Sequence, residues 1–349
     1  MRRLLPRLAI ACAAFLIGTL AGSLHQHLVT KRTVNVDLPA PTAPPPAITP
    51  PLETEENYPE NTGVSPRDIE YFIEQYPYAN LTRLWERLGV RNEDGSFEWG
   101  CNNAEAQAFD YHLDDDLDEE VVLRIGDRMC ESYRYLIFKA RAFDKIELLG
   151  HIEVRGKYRP STHAVLLSGG KAWLVIEGQA ASGSGLAVYD HTIYRVSSRS
   201  VKPVLSYYSE IHQSGFNAAP SKTIVARPVS IEVQDGRVKG TVSYGVEYLL
   251  YNGQNATSLF KKQQTAVIIG SRAGGAVRLD AAASNITPHE FATVFNFDSM
   301  GEEEFLTYNR SELRAIATGR DRIKKQWLQD YLATCENSSV KRELMTLLR

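Results

Sequence analysis

Six of the seven residues from Asp114 to Glu120 are acidic, and they run straight into the mainly apolar stretch VVLRI, Val121–Ile125. Asp114, Asp116 and Asp118 stand at alternate positions, with Glu120 two residues further on. A hard cation such as Ca²⁺ takes several carboxylate and carbonyl oxygens at once, so these four side chains are the candidate metal ligands. A second polar concentration, EGQAASGSGLAVYDH from Glu177 to His191, is followed by SYYSEIHQSG from Ser206 to Gly215. Its residue types suit acyl transfer. Ser184 would be the nucleophile, with Ser182 and Ser214 as alternatives; His191 or His212 would be the base, and Glu210 or Asp190 the acid that orients it. The signatures that usually accompany such chemistry are missing. Residues 180–184 read AASGS, not Gly-x-Ser-x-Gly, and the chain contains neither a His-Glu-x-x-His nor a Cys-x-x-Cys run.

Residues 112–125, HLDDDLDEEVVLRI, resemble the calcium loops of FG-GAP and VCBS repeats, in which an Asp-rich run leads into a strand. The resemblance implies a Ca²⁺ ion in this loop. His112 stands where that family has its first carboxylate and Leu117 where it has a turn glycine, and the chain holds one copy of the loop. The rest of the chain resembles, in layout only, uncharacterised bacterial envelope proteins with a single N-terminal apolar segment.

The elements that must position these residues are mostly strands. From Glu120 to Leu279 short β-branched and aromatic runs alternate with Gly, Asp, Asn and Pro, and no long helical period intervenes. This predicts a mainly β fold, an antiparallel meander built as a sandwich, an open barrel or propeller-like blades, with helices at both ends. Gln234-Asp235-Gly236 is the strongest hairpin signal. The stretch 91–108 reads as irregular, and Asp190–His191 as a break between two strands. Ser65-Pro66-Arg67-Asp68 predicts a helix start, with Ile69, Phe72, Ile73 and Tyr76 as its core face and a second short helix ending at Gly89. Phe305, Leu313, Ile316, Ile323, Trp327 and Tyr331 mark a C-terminal amphipathic face.

Arg2, Arg3 and Arg7 precede an uncharged apolar run from Leu8 to Leu24, which makes residues 1–25 an export signal or a single transmembrane anchor. Residues 26–63 include the proline-rich stretch DLPAPTAPPPAITPP and form a spacer. Residues 64–285 are then a β-rich extracytoplasmic, periplasmic domain with two leading helices, and 286–349 a helical segment packed on it. Cys101 and Cys130 flank the acidic loop; oxidised outside the cytoplasm they would close it with a bridge worth about 3–4 kcal/mol, and Cys335 is a competing partner. A formal net charge of −3 over 349 residues gives no basic field for nucleic acid. Together these features predict a non-catalytic, membrane-anchored or secreted binding or structural module of the cell envelope. Its partner would be the membrane, through the N-terminal segment, and an envelope protein or small polar ligand. The alternative is an extracytoplasmic hydrolase using the polar region from Gly178 to His212.

Overall fold

The computed structural model describes residues 63–349, apart from 93, 98, 100–102, 117, 127–130, 142–144, 157–158, 216–218, 235–236, 253–254, 271–276 and 296–299. The N-terminal apolar segment, the proline-rich spacer and the pair Cys101 and Cys130 lie outside the described residues. Among the described residues no helix is long and apolar enough to cross a membrane.

Helix α1 (Pro66–Gln75) begins where its sequence says it should: the Ser65 side chain accepts the Arg67 N–H, and Pro66 fills the first turn, where no N–H is needed. After Pro77 the short helix α2 (Thr82–Leu88) ends at Gly89, whose φ of 71° is the left-handed geometry that suits glycine. Both helices cover one face of a four-stranded antiparallel sheet, β1 (Ala106–Tyr111), β2 (Glu120–Gly126), β3 (Ser132–Arg141) and β4 (Lys145–Arg155), in that spatial order. The period of two sorts the strands between two cores. Leu123, Ile125, Leu136 and Phe138 meet Ile69, Ile73, Trp85 and Leu88. On the opposite face Val122, Tyr133, Tyr135 and Ile137 meet Leu174, Ile176 and Val196 of the second sheet.

That second sheet has eight strands in simple meander order: β5 (Thr162–Ser168), β6 (Lys171–Gly183), β7 (Leu186–Ser197), β8 (Ser200–Gln213), β9 (Ser221–Gln234), β10 (Arg237–Asn252), β11 (Asn255–Gly270) and β12 (Val277–Leu279). It does not close into a barrel; β5 and β12 are its edges. β8 and β9 pair only through Glu210–Gln213 and Lys222–Val225. Beyond that seam the two halves fold toward each other, so that a Cβ on Gly240 would lie 2.4 Å from Leu205 Cδ2 and one on Gly270 2.3 Å from the Val204 carbonyl oxygen. Only glycine permits β10 and β11 to approach β8 so closely. Between the halves lies the largest core, completed by α3 (Pro288–Phe295), α4 (Glu302–Tyr308), α5 (Arg310–Thr318), α6 (Arg322–Thr334) and α7 (Ser339–Leu348) through residues such as Phe305, Leu313, Trp327, Leu328 and Leu344.

The mainly antiparallel β class with terminal helices agrees with the sequence reading; four details differ. The segment read as irregular, 91–108, runs into β1 (Ala106–Tyr111), so the acidic loop joins two strands of a hairpin. Asp190–His191 does not divide two strands: β7 runs through it, accommodating the polar pair at a register shift next to Tyr189. Phe72 of α1 and Tyr76, its C-cap, are 43% and 62% exposed, because Ile69 and Ile73 fill the face toward the sheet. Ile323, placed on the C-terminal apolar face, is exposed at the start of α6.

Candidate functional site

β1 and β2 are antiparallel, with Tyr111 opposite Glu120, and residues 112–119 form the loop between them. The loop turns by its own side chains. The Asp116 N–H donates to Asp114 Oδ1 at 3.0 Å and the Asp118 N–H to Asp116 Oδ1 at 2.9 Å, a local bonding pattern at which Asp excels. Glu120, the first residue of β2, is fully buried and accepts the Leu113 N–H at 2.8 Å. Directly across the β2–β3 ladder from Glu120 stands Lys139. Its Nζ, itself buried, donates to Asp114 Oδ2 and Asp116 Oδ2 at 2.6 Å each and to Glu120 Oε1 at 3.0 Å. An ammonium has three protons, and here each has a carboxylate.

Electrostatics follows from that geometry. Burial alone would lower the Lys139 pKa, but the hydrogen bonds from Asp114, Asp116 and Glu120 outweigh it and hold the ammonium above its ordinary value. The Lys139 bond in turn holds Asp116 below the usual carboxylate range. Asp114, Asp116 and Glu120 bring carboxylate oxygens within 4.8 Å of one another, an arrangement able to hold a metal ion. Asp118, the fourth ligand expected from the sequence, is exposed and outside this cluster. Lys139 was not foreseen as a partner. The signal was present: in β3 it falls in phase with Tyr133, Tyr135 and Ile137, a lysine on a core-facing row.

The outer side of the loop forms a wall of a 310 Å³ cavity. Asp114, Asp115 and Asp116 line that wall; Lys171, Trp173 and Arg195 are among the residues lining the rest. Lys171 is set by the tight β5–β6 turn, where Gly169 and Gly170 take φ of 62° and 71°, the two positive values that a two-residue hairpin of this kind requires. Arg195 sits near the end of β7, opposite Lys202 of β8, which adds a like charge and no counter-ion. Among the described residues Asp115, Lys171 and Arg195 make no ion pair or hydrogen bond through their side chains. One acid and two bases thus face a common space without having closed on one another.

The polar residues of β6–β8 form a different kind of assembly. Arg159 bridges Glu177 Oε1 at 3.0 Å and Glu210 Oε2 at 2.6 Å, and its guanidinium carbon lies 3.6 Å from the centre of the Tyr189 ring. Each of the two glutamates holds a histidine. His191 Nε2 is 3.2 Å from Glu177 Oε2, with Nδ1 2.9 Å from the Tyr207 hydroxyl; His212 Nε2 is bonded to Glu210, with Nδ1 3.3 Å from Thr223 Oγ1. Arg159 holds Glu210 below its ordinary pKa against the opposing effect of burial, which is the larger single influence. Three of the expected catalytic residues, His191, Glu210 and His212, therefore converge through Arg159 and Glu177. Ser184 does not join them. It lies exposed in the β6–β7 turn, while the hydrogen-bond partners of the two imidazoles are Glu177, Tyr207, Glu210 and Thr223.

Comparison with protein-family models and with curated proteins returns no match to this chain.

Proposed function

We propose that the protein is a non-catalytic binding module of the cell envelope, held at the membrane by its N-terminal segment, with the cavity beside the acidic loop as its ligand seat. One observation carries this reading: Asp115 on one wall and Lys171 and Arg195 on the other line a 310 Å³ space and have no ion-pair partner among the described residues. Pockets of about 300 Å³ upward with a few convergent polar groups are the usual form of small-ligand sites. Lys139 supports the seat from behind by fixing the loop that forms its acidic wall. Arg2, Arg3 and Arg7 ahead of the apolar run support anchoring with the folded part outside the cytoplasm. The test is ligand-observed NMR with a panel of small polar metabolites, on the parent and on Ala172→Trp, which fills the cavity from a lining position. Binding that disappears in the filled variant supports the seat; a panel in which nothing binds, or binding unchanged by the filling, overturns it.

An extracytoplasmic hydrolase is the second reading, favoured by the acid–imidazole–hydroxyl line of Glu210, His212 and Thr223. It moves the nucleophile from Ser184 to Thr223. Ester hydrolysis by the parent that is abolished in both Thr223→Val and His212→Gln would establish it.

Calcium at the loop, the resemblance to FG-GAP and VCBS repeats included, rests on Asp114, Asp116 and Glu120. The competitor is Lys139, whose ammonium already bonds all three. We infer that lysine stands here in the role a cation has in the calcium loops. Calcium is expected to leave the melting of the parent unchanged and to raise that of Lys139→Met; a rise in the parent that Asp116→Ala removes would restore the metal reading.

A further inference from the structure

We propose that the cavity takes a small dipolar ligand, one molecule carrying both an ammonium and a carboxylate; this rests on the reading of the cavity as a ligand seat and names the chemistry of its occupant. The two walls differ in sign. On the loop side, Asp114, Asp116 and Glu120 share a single ammonium, Lys139, so the wall keeps an excess of negative charge before Asp115 adds its own. Lys139 and the turn amides bond the carboxylates of Asp114 and Asp116, whereas Asp115 is exposed and its side chain has no partner among the described residues. It is the group left to receive a cation.

On the far side Lys171 and Arg195 supply two positive charges from neighbouring strands, and Lys202, the cross-strand neighbour of Arg195, reinforces their sign. A guanidinium and an ammonium lining one cavity suit a carboxylate, which accepts from both. Between the walls Leu113, Ala172 and Val196 contribute apolar lining. That apolar lining suits a short methylene chain. The size fits as well: 310 Å³ is at the lower end of the range of small-ligand sites, where a small amino acid or the end of a peptide belongs.

An occupant of a single sign would satisfy one wall and be repelled by the other. A dipolar one satisfies both, and each end meets a charge that has no partner among the described residues. The same chemistry is offered by a free amino acid and by a peptide terminus, and a chain-length series separates them.

The experiment is isothermal titration of the full chain in detergent with the linear ω-amino acids from glycine to 6-aminohexanoate, with hexylamine and hexanoate as single-charge controls and dialanine and trialanine as peptide probes. Binding of the amino acids at one preferred length, with loss of affinity for either control, is the expected result. Asp115→Asn and Arg195→Gln should each abolish it, and both sit at exposed positions where the fold does not depend on them. Tighter binding of the peptides than of any free amino acid would identify a peptide terminus as the source. If hexanoate binds as tightly as 6-aminohexanoate and Asp115→Asn changes nothing, the seat stands and the dipolar occupant falls. If no probe binds and Ala172→Trp is equally silent across the metabolite panel, the seat falls too.

Discussion

Among the described residues two lysines are buried, one in each sheet, and their surroundings move their protons in opposite directions. Lys139 of β3 meets three carboxylates and keeps its charge more firmly than a lysine in water. Lys222 of β9 is also buried, and its Nζ donates at 3.2 Å to the Val294 carbonyl in the last turn of α3; burial pushes its pKa down to about 8. The folds around them are alike, since each sits on a strand of an antiparallel meander. The difference is in the partners: a carbonyl dipole cannot replace the hydration that burial removes from an ammonium, whereas a set of carboxylates can. Lys139 is therefore part of what holds its region together, and Lys222 is a charge its region tolerates.

The largest expected effect follows from breaking the first arrangement. Lys139→Met leaves Asp114, Asp116 and buried Glu120 without a counter-charge and should cost about 3–5 kcal/mol in urea unfolding. Adding Glu120→Gln should recover part of the loss. Lys222→Met should have the opposite sign. The parent carries the full cost of the depressed pKa below about pH 8 and is relieved of it as the pH rises to 10.5. The variant should therefore be more stable at neutral pH by about 1–2 kcal/mol, a gross gain of about 3 reduced by the lost hydrogen bond. Should Lys222→Met destabilise as much as Lys139→Met, the contrast between them is wrong.

A pH series of urea midpoints sharpens the contrast. Lys139 contributes in full below 10.5 and loses its contribution as the pH climbs through its raised folded value; Asp116 contributes above 3.8 and loses its contribution as the pH drops through its lowered one. His163 adds a slope between them. Ringed by Phe109, Tyr111 and Tyr135, it is pushed by burial, and secondarily by Arg124, from 6.5 to about 4. The folded state excludes a proton that the unfolded chain binds, so stability should fall as the pH drops from 6.5 to 4, and His163→Phe should flatten that interval. The smallest effect belongs to Asp118→Asn. Exposed and outside the lysine's reach, it should change stability by less than about 0.5 kcal/mol, and a larger change would mean that the loop has a fourth charged member.

Much of the fold can be read from residue order. The helix start at Ser65-Pro66, the alternating strands and the hairpin joining β9 to β10 are local signals, and the structure pairs Gln234 with Arg237 across that turn. β1 escapes such reading because AQAFDY mixes Gln107 and Asp110 into a short edge strand, where one side of the ladder has no neighbour to demand apolar residues. The candidate site was half legible. Its carboxylates are contiguous, but their counter-charge is 19 residues beyond Glu120 and arrives by strand register. Arg159 and Glu177 escape for the same reason: each is an ordinary charge until β6 and β8 bring Glu177 and Glu210 within one guanidinium's span.

In both sheets every strand pairs with its neighbours in sequence and with no other. A chain emerging N-terminus first, from a ribosome or an export channel, can add each strand to the edge left by the one before it, with no partner still to be synthesised. The cost falls on the helices. Phe305, Leu313, Trp327 and Leu344 belong to the core that β9–β11 help to build, and they arrive only after every strand of that sheet. Until they do, an apolar sheet face is open to other emerging chains, and a chain truncated before Pro288 would keep it open permanently.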